Sequence, residues 1–333
     1  MKKYIKNFYI LLILLFLSAC TEKNTQYFYT WQGIGPDKWA AVWLINRHID
    51  PEAKIKFVPI NANIDSATAF DIPSAKYKRT SHISTVASLA RAYRVDVSKQ
   101  AIQDVIQIIH DIEVIAWGNP VHSRSSIVEI AFRDLQKHYG RDQVPSACYM
   151  EFFDKLQLAL KKDTNQHSAT DFKKALMPST DCEKRQMAFE QTKNKKQLVE
   201  ELPIREILNL MQAGKKVVFV DAREAAEYNE FHIPNAVNLQ LRKVDANVAE
   251  QFSDADKVIA YCLKDFRGFE LAKALKQKAG IQQAAIMNPY GINGWKALGL
   301  PVTGQRALSE KEAQQQLQTC IKNPNECLNK TEE

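Results

Sequence analysis

The chain reads as two domains of different class: a C-terminal α/β domain on a parallel sheet, preceded by a mostly α (α+β) domain. Three observations predict this. At 333 residues the chain exceeds one ordinary hydrophobic core. Between Leu198 and Gly304, continuous apolar runs alternate with segments of helical spacing, as in a parallel sheet covered on both faces. Between Pro36 and Leu160 the apolar residues recur mainly at helical spacing. A composition of 45% hydrophobic and 25% charged residues excludes whole-chain disorder, a collagen repeat and a long coiled coil.

The chain begins with a targeting pattern. Lys2, Lys3 and Lys6 precede an unbroken apolar run from Tyr9 to Leu17, which is too short for a stable spanning helix and suits a signal-peptide core. Leu17-Ser18-Ala19-Cys20 resembles the bacterial lipobox. That resemblance implies removal of residues 1–19 and a lipid on Cys20. Thr21, in place of an Asp, implies outer-membrane sorting with the protein facing the periplasm. Residues 20–35 then read as a tether. No other stretch approaches the roughly 18 apolar residues of a membrane span.

In the C-terminal half, Lys216–Asp221, Ala236–Leu239, Lys257–Tyr261 and Ala284–Met287 read as strands. Phe269 to Lys278 carries Phe269, Leu271, Ala272 and Leu275 at helical spacing, and Gly280 ends it. Reactive groups in such sheets sit beyond the carboxyl ends of strands. Cys262 is at that place, just after the third of these strands and before the helix. Helix N-terminal N–H groups, with Lys264 and Arg267 nearby, favour a thiolate and an anionic substrate.

Residues 198–304 resemble the rhodanese family. The resemblance rests on Asp221-Ala222-Arg223 with Glu227-Tyr228, on His232-Ile233-Pro234-Asn235-Ala236-Val237-Asn238, on Cys262 followed by Arg267, and on Gly291-x-x-Gly294-Trp295 with Gly299-x-Pro301-Val302. It implies a five-stranded parallel sheet between helices. It also implies a persulfide carried on Cys262, and an anion-binding loop of Leu263, Lys264, Asp265, Phe266 and Arg267. Asp221 and Arg223 would support that loop. The implied partners are an anionic or persulfide sulfur donor and a thiol or cyanide-like acceptor. The loop has the six-residue length of sulfur-transfer enzymes rather than the seven of related phosphatases. It departs from the family at Asp265, where sulfurtransferases usually carry Gly. A carboxylate there repels an anionic donor unless Lys264 pairs with it, and a residue with a Cβ loses easy access to positive φ.

In the N-terminal half, Asp37 is placed to cap a helix carrying Trp39, Val42 and Trp43, and Ile55–Pro59 is a short strand. Ser84 and Ser98 are placed to open two further helices, and helical patterns cover 126–138 and 144–160. Residues Trp43 to Pro59 (WLINRHIDPEAKIKFVP), with Ala69-Phe70-Asp71-Ile72-Pro73, resemble the chromate-resistance exported protein domain. Asn46, His48 and Ser84-Thr85-Val86-Ala87 depart from that family's paired Arg, aromatic and thiol–carboxylate positions. The domain is placed at 36–160, a polar linker without Val or Ile at 161–197, the rhodanese-like domain at 198–304 and a polar tail at 305–333. Arg47 and Asp50 are candidates for a pocket, and a structural ion pair explains them equally well. The acids and histidines of this half lack metal-ligand spacing, so no metal and no cofactor are expected.

Four further cysteines lie in a compartment that permits disulfides. Cys148, Cys182, Cys320 and Cys327 allow three connectivities, one of which joins Cys320 to Cys327 and Cys148 to Cys182. Loss of residues 1–19 lowers the formal charge from +7 to +4, too mild to argue for nucleic acid. The sequence therefore predicts sulfane-sulfur transfer through Cys262 in a membrane-anchored protein tied to chromate or oxyanion stress. The alternative is a non-catalytic binding or sensing module that serves the N-terminal domain.

Overall fold

The computed structural model describes residues 26–59, 62–64, 66–115, 119–162, 168–189 and 199–328. The signal segment, Cys20 and part of the expected linker lie outside these residues. Among the described residues no helix is long and apolar enough to cross a membrane.

The N-terminal domain opens with β1 (Tyr27–Trp31), which pairs in parallel with β2 (Lys54–Val58). The stretch expected to be a tether is thus part of the fold from Tyr27 on, and Phe28 is fully buried. Between the strands runs α1 (Pro36–Leu44), buried along its whole length, the charged Asp37 and Lys38 included. The helices α2 (Thr85–Ala92), α3 (Gln100–Glu113), α4 (Ser125–Tyr139) and α5 (Ser146–Lys162) enclose it. Trp39 and Trp43 are core residues at 0% exposure, and Trp39 stacks on Tyr149 at 4.3 Å. Asp37 does not cap its own helix. It lies within α1, and its carboxylate accepts the Thr85 and Val86 N–H groups at 2.7 and 3.0 Å, capping α2 together with Ser84. Ser98 does not cap α3, since its hydroxyl turns back to Asp96 at 2.5 Å.

The expected linker is packed structure where it is described. Helix α6 (Ala169–Leu176) sets Phe172 and Leu176 into the core, Phe189 follows them, and Cys182 is bonded to Cys148 of α5. A few apolar residues and one cross-link hold this segment, although its average composition is that of a loose chain.

The C-terminal domain runs β3 (Glu200–Pro203), α7 (Ile204–Gln212), β4 (Val217–Asp221), α8 (Ala225–Glu230), β5 (Val237–Asn238) and α9 (Val248–Gln251). It continues through β6 (Lys257–Tyr261), α10 (Phe266–Lys278), β7 (Ala284–Asn288) and α11 (Gly291–Ala297). The five strands form one parallel sheet in the order β3-β7-β6-β4-β5, flanked by helices. The expected tail instead folds as α12 (Glu310–Lys322) and α13 (Pro324–Leu328), joined by a Cys320–Cys327 disulfide. The Ser309/Glu312 capping box starts α12, and Leu317, Cys320 and Ile321 bury its apolar face.

Strand alternation decides what each sheet face meets. Ile259 and Tyr261 of β6 face a core with Trp295 and Leu317. Val258 and Ala260 face the opposite way, into an apolar cluster continuous with Trp39, Phe132 and Phe153 of the N-terminal domain. Cys262 continues that alternation onto the face shared by the two domains.

Candidate functional site

Cys262 directly follows β6, ahead of the N-terminus of α10, and is the free cysteine among the described residues. Two glycines let the chain close around it. A Cβ on Gly268 would lie 2.8 Å from the Tyr261 Cα, so only glycine lets α10 approach β6 this closely. Gly291 adopts φ +63°, and a Cβ there would collide with the Lys264 carbonyl. The N-terminus of α11 can therefore pin the loop: Ile292 N–H donates to Cys262 O at 2.8 Å, and Asn293 N–H to Leu263 O at 3.0 Å.

The thiol is 2% exposed. Burial pushes its pKa up, the Arg267 charge opposes this, and the Glu113 and Asp265 charges add to the rise. The Gly268 N–H donates to the sulfur and favours the thiolate.

The loop's charged side chains do not stand free. Lys264 Nζ lies 2.9 Å from Glu129 Oε2 of α4. Arg267 donates through both terminal nitrogens to Glu227, each at 2.8 Å. Burial alone would raise the Glu227 carboxyl, but Arg267 outweighs it and holds the group at about 2. Asp265 is 1% exposed and is held by Arg133 of α4 at 2.6 Å and by Arg141. Burial would raise its carboxyl as well, but the two guanidinium charges keep it below the usual range. The repulsion expected of Asp265 is thus neutralised, by the other domain rather than by Lys264. Its φ is 179°, ordinary extended backbone, so the missing glycine carries no strain.

Ring contacts complete the dock. The Arg133 guanidinium lies 4.6 Å from the Phe266 ring centroid and 4.1 Å from that of Tyr290, while Phe132 meets Phe266 edge-on at 5.9 Å. Leu263 is buried beside Ile292 and Trp295 in the core on the other sheet face.

Asp221 and Arg223 form a buried bidentate pair, with Arg223 Nη2 2.6 Å from Asp221 Oδ2 and also donating to Phe231 O. They brace the carboxyl end of β4 beside β6, where Ala222 N–H donates to Tyr261 O at 2.8 Å. Arg47 and Asp50 have separate partners. Arg47 pairs with Asp154 at 2.9 Å on the surface, and Asp50 accepts the Glu52 N–H in a local turn. The described acids, histidines and cysteines contain no group of three able to hold a metal ion.

Between the domains lies a cavity of about 470 Å³. The N-terminal domain contributes Trp31, Lys38, Asp71, Lys78 and Arg79 to its wall, and the C-terminal domain contributes Glu227, Gln240, Arg267 and Glu270. Arg267 is the member of the Cys262 loop that reaches this wall. Sequence reasoning missed Glu129, Arg133, Arg141, Arg79 and Glu270. Each is an ordinary charged helix or loop residue until the other domain is placed against it. Glu227 was visible as a motif residue, without its role as the Arg267 partner.

A cysteine loop between a parallel strand and a helix, on a sheet ordered 3-7-6-4-5 and covered by a helical domain, defines a two-domain protein of rhodanese fold. Residues 204–298 match the rhodanese-like domain family, and residues 28–160 match the family described as ChrB, C-terminal domain. The chain is a fusion of these two domains. It is 32% identical over 102 residues to the HTH-type transcriptional regulator Rv0324 of Mycobacterium tuberculosis, a match covering 29% of this chain and 42% of that relative. The match thus spans less than half the relative's length. A solved structure of the BH2092 protein from Bacillus halodurans is 23% identical, covering 32% of this chain and 79% of that one, at a TM-score of 0.29.

Proposed function

We propose that this protein carries sulfane sulfur as a persulfide on Cys262, taking it from an anionic or persulfide donor and passing it to a thiol or cyanide-like acceptor. The observation that supports this is the placing of a free thiol at the strand-to-helix loop of a rhodanese-like domain, where a backbone N–H and Arg267 act against the burial that raises its pKa. The protein works on the periplasmic side of the outer membrane, held by a lipid on Cys20, in chromate or other oxyanion stress. The lipobox motif and the ChrB-type domain support that setting.

The test is thiocyanate production from cyanide by the full-length protein, with thiosulfate and with an organic persulfide as donors, beside Cys262→Ser. Cys262-dependent product from either donor is the expected result, and none from both sinks the proposal. A second reading has its own observation. With Cys262 2% exposed and Lys264 and Asp265 engaged by the ChrB-type domain, the loop also fits a non-catalytic docking or sensing module. Cys262-independent chromate tolerance in cells that lose it on deletion of the whole gene would favour that reading.

A further inference from the structure

The charges in the wall of the interdomain cavity are matched in pairs. Lys38 pairs with Asp71 at 2.7 Å, Arg242 with Glu224, Arg267 with Glu227, and Arg79 with Glu113 behind the wall. Glu270 is engaged too. It accepts the Ile34 N–H at 2.7 Å, the Lys38 charge acts on it, and burial pushes its carboxyl up to about 7. Lys78, on the ChrB-type domain, is the exception. Its Nζ donates to the Pro73 carbonyl, and among the described residues no acid pairs with it. Below about pH 7 the wall therefore carries a positive charge in excess.

The same wall holds hydrogen-bonding capacity that the protein does not use. Arg267 gives both terminal nitrogens to Glu227 and leaves its Nε buried without a partner. Arg79, from the other domain, gives Nη1 to Glu113, and its guanidinium is near enough to that of Arg267 for the two charges to repel. An anion beside both relieves that repulsion. Gln240 is 4% exposed. Its Nε2 donates to Asn238 Oδ1 and to the Arg223 carbonyl, while its Oε1 is buried and unpartnered. Buried polar groups without partners are uncommon, and a cavity lined by them suits a ligand that supplies the missing partners.

These groups specify the ligand's chemistry. Lys78, Arg79 and Arg267 call for an acid group, and guanidinium donors match the geometry of a carboxylate. The small excess of positive charge suits a monoanion better than a phosphate dianion. Gln240 Oε1 calls for a donor, such as a hydroxyl. A cavity of about 470 Å³ lies within the range of organic-ligand sites and is larger than a small inorganic oxyanion needs. Apolar surface from Trp31, Ile72 and Leu241 receives a carbon body.

We propose that the cavity binds a hydroxylated organic carboxylate. Lys78 and Arg79 of the ChrB-type domain and Arg267 of the rhodanese domain hold its carboxylate, and its hydroxyl donates to Gln240. The ligand bridges the two domains. Cys262 is not part of the cavity wall, so the site takes no part in sulfur transfer and does not rest on the sulfur-carrier reading.

The probe is 3-hydroxybenzoate, titrated by calorimetry into the full-length protein at pH 6. The expected result is saturable one-to-one binding tighter than about 1 mM. Benzoate, which leaves Gln240 Oε1 without a partner, should bind at least about fivefold more weakly. Lys78→Met should weaken 3-hydroxybenzoate at least about tenfold, and Lys78→Arg, which keeps the charge, should restore most of the affinity. Cys262→Ser should bind as the unsubstituted protein does, whatever the cyanide assays show. Absence of saturable binding overturns the site, as does equal binding of benzoate or an unchanged affinity in Lys78→Met. Inorganic sulfate binding as tightly as 3-hydroxybenzoate would overturn the organic ligand in favour of a bare oxyanion.

Discussion

Asp265 Oδ1 lies 2.6 Å from Arg133 Nη1, and this contact fastens the Cys262 loop to helix α4 of the other domain. Arg141 holds the second carboxylate oxygen, and Glu129 bridges Arg133 and Lys264. Asp265 stands where the rhodanese resemblance leads one to look for glycine. The residue that departs from the family pattern is therefore the one the second domain grips, and the ChrB-type domain forms the lid of the loop.

Replacing Asp265 by Ala removes the acid and leaves two guanidinium groups at a site where the acid was 1% exposed. Stranding buried charge costs about 3–5 kcal/mol. The urea midpoint of the Asp265→Ala protein should fall accordingly. The triple change Asp265→Ala, Arg133→Met, Arg141→Met should lose less than the single one, because no charge is then left alone. A triple variant at least as unstable as the single one would show that the contact is not a charge lock.

Burial raises the Cys262 thiol pKa, so little thiolate is present near neutral pH. Iodoacetamide should label Cys262 more slowly than a free cysteine. The rate should climb with pH to a midpoint above the ordinary value of about 8.5. Arg267→Gln should move that midpoint further up, since the Arg267 charge is the main influence lowering it. A midpoint at or below that of free cysteine would mean that the loop is open in solution.

How far this was legible in the sequence depended on the range over which each signal acts. Val217–Asp221 and Lys257–Tyr261 are continuous apolar runs, so the strands and the thiol at the end of β6 could be read locally. The role of Asp265 could not be, because Arg133 and Arg141 come from the other domain and nothing nearby marks them. Phe172, Leu176 and Phe189 were lost in a Lys-rich average, although each is buried. Asp37 was recognised as a cap residue but assigned to the wrong helix, since its partners at Thr85 and Val86 arrive only with the tertiary fold.

The Cys148–Cys182 bond ties α5 to the segment after α6, at a sequence separation of 34. Cross-linking over such a loop stabilises by roughly 2–4 kcal/mol. Cys182→Ala should lower the melting temperature and open the 168–189 region to trypsin ahead of the rest of the chain. Cys327→Ala removes a cross-link that closes a much shorter loop, at a separation of 7, and should lower it less. Equal losses from the two variants would argue against loop closure as the source.

Burial pushes the Glu270 carboxyl up to about 7, against the pull of the Ile34 N–H. Asp37 is likewise raised to about 7, by burial and then by the neighbouring Asp71 charge. In the unfolded chain both titrate near 4. Between about pH 4 and pH 7 the folded protein therefore holds protons that the unfolded chain has released, and stability falls as pH rises through that window. Above it the penalty is complete. Glu227, held at about 2, acts in the opposite sense: its contribution is present above about pH 4 and is lost as pH drops toward 2. Stability should therefore decline from mildly acidic pH toward pH 8. Glu270→Gln removes one source of that decline, so the gap between variant and parent should shift in the variant's favour between pH 5 and pH 8, by up to about 3 kcal/mol. Parallel urea-midpoint curves for the two proteins across this range would mean that Glu270 carries an ordinary carboxyl pKa in the folded state.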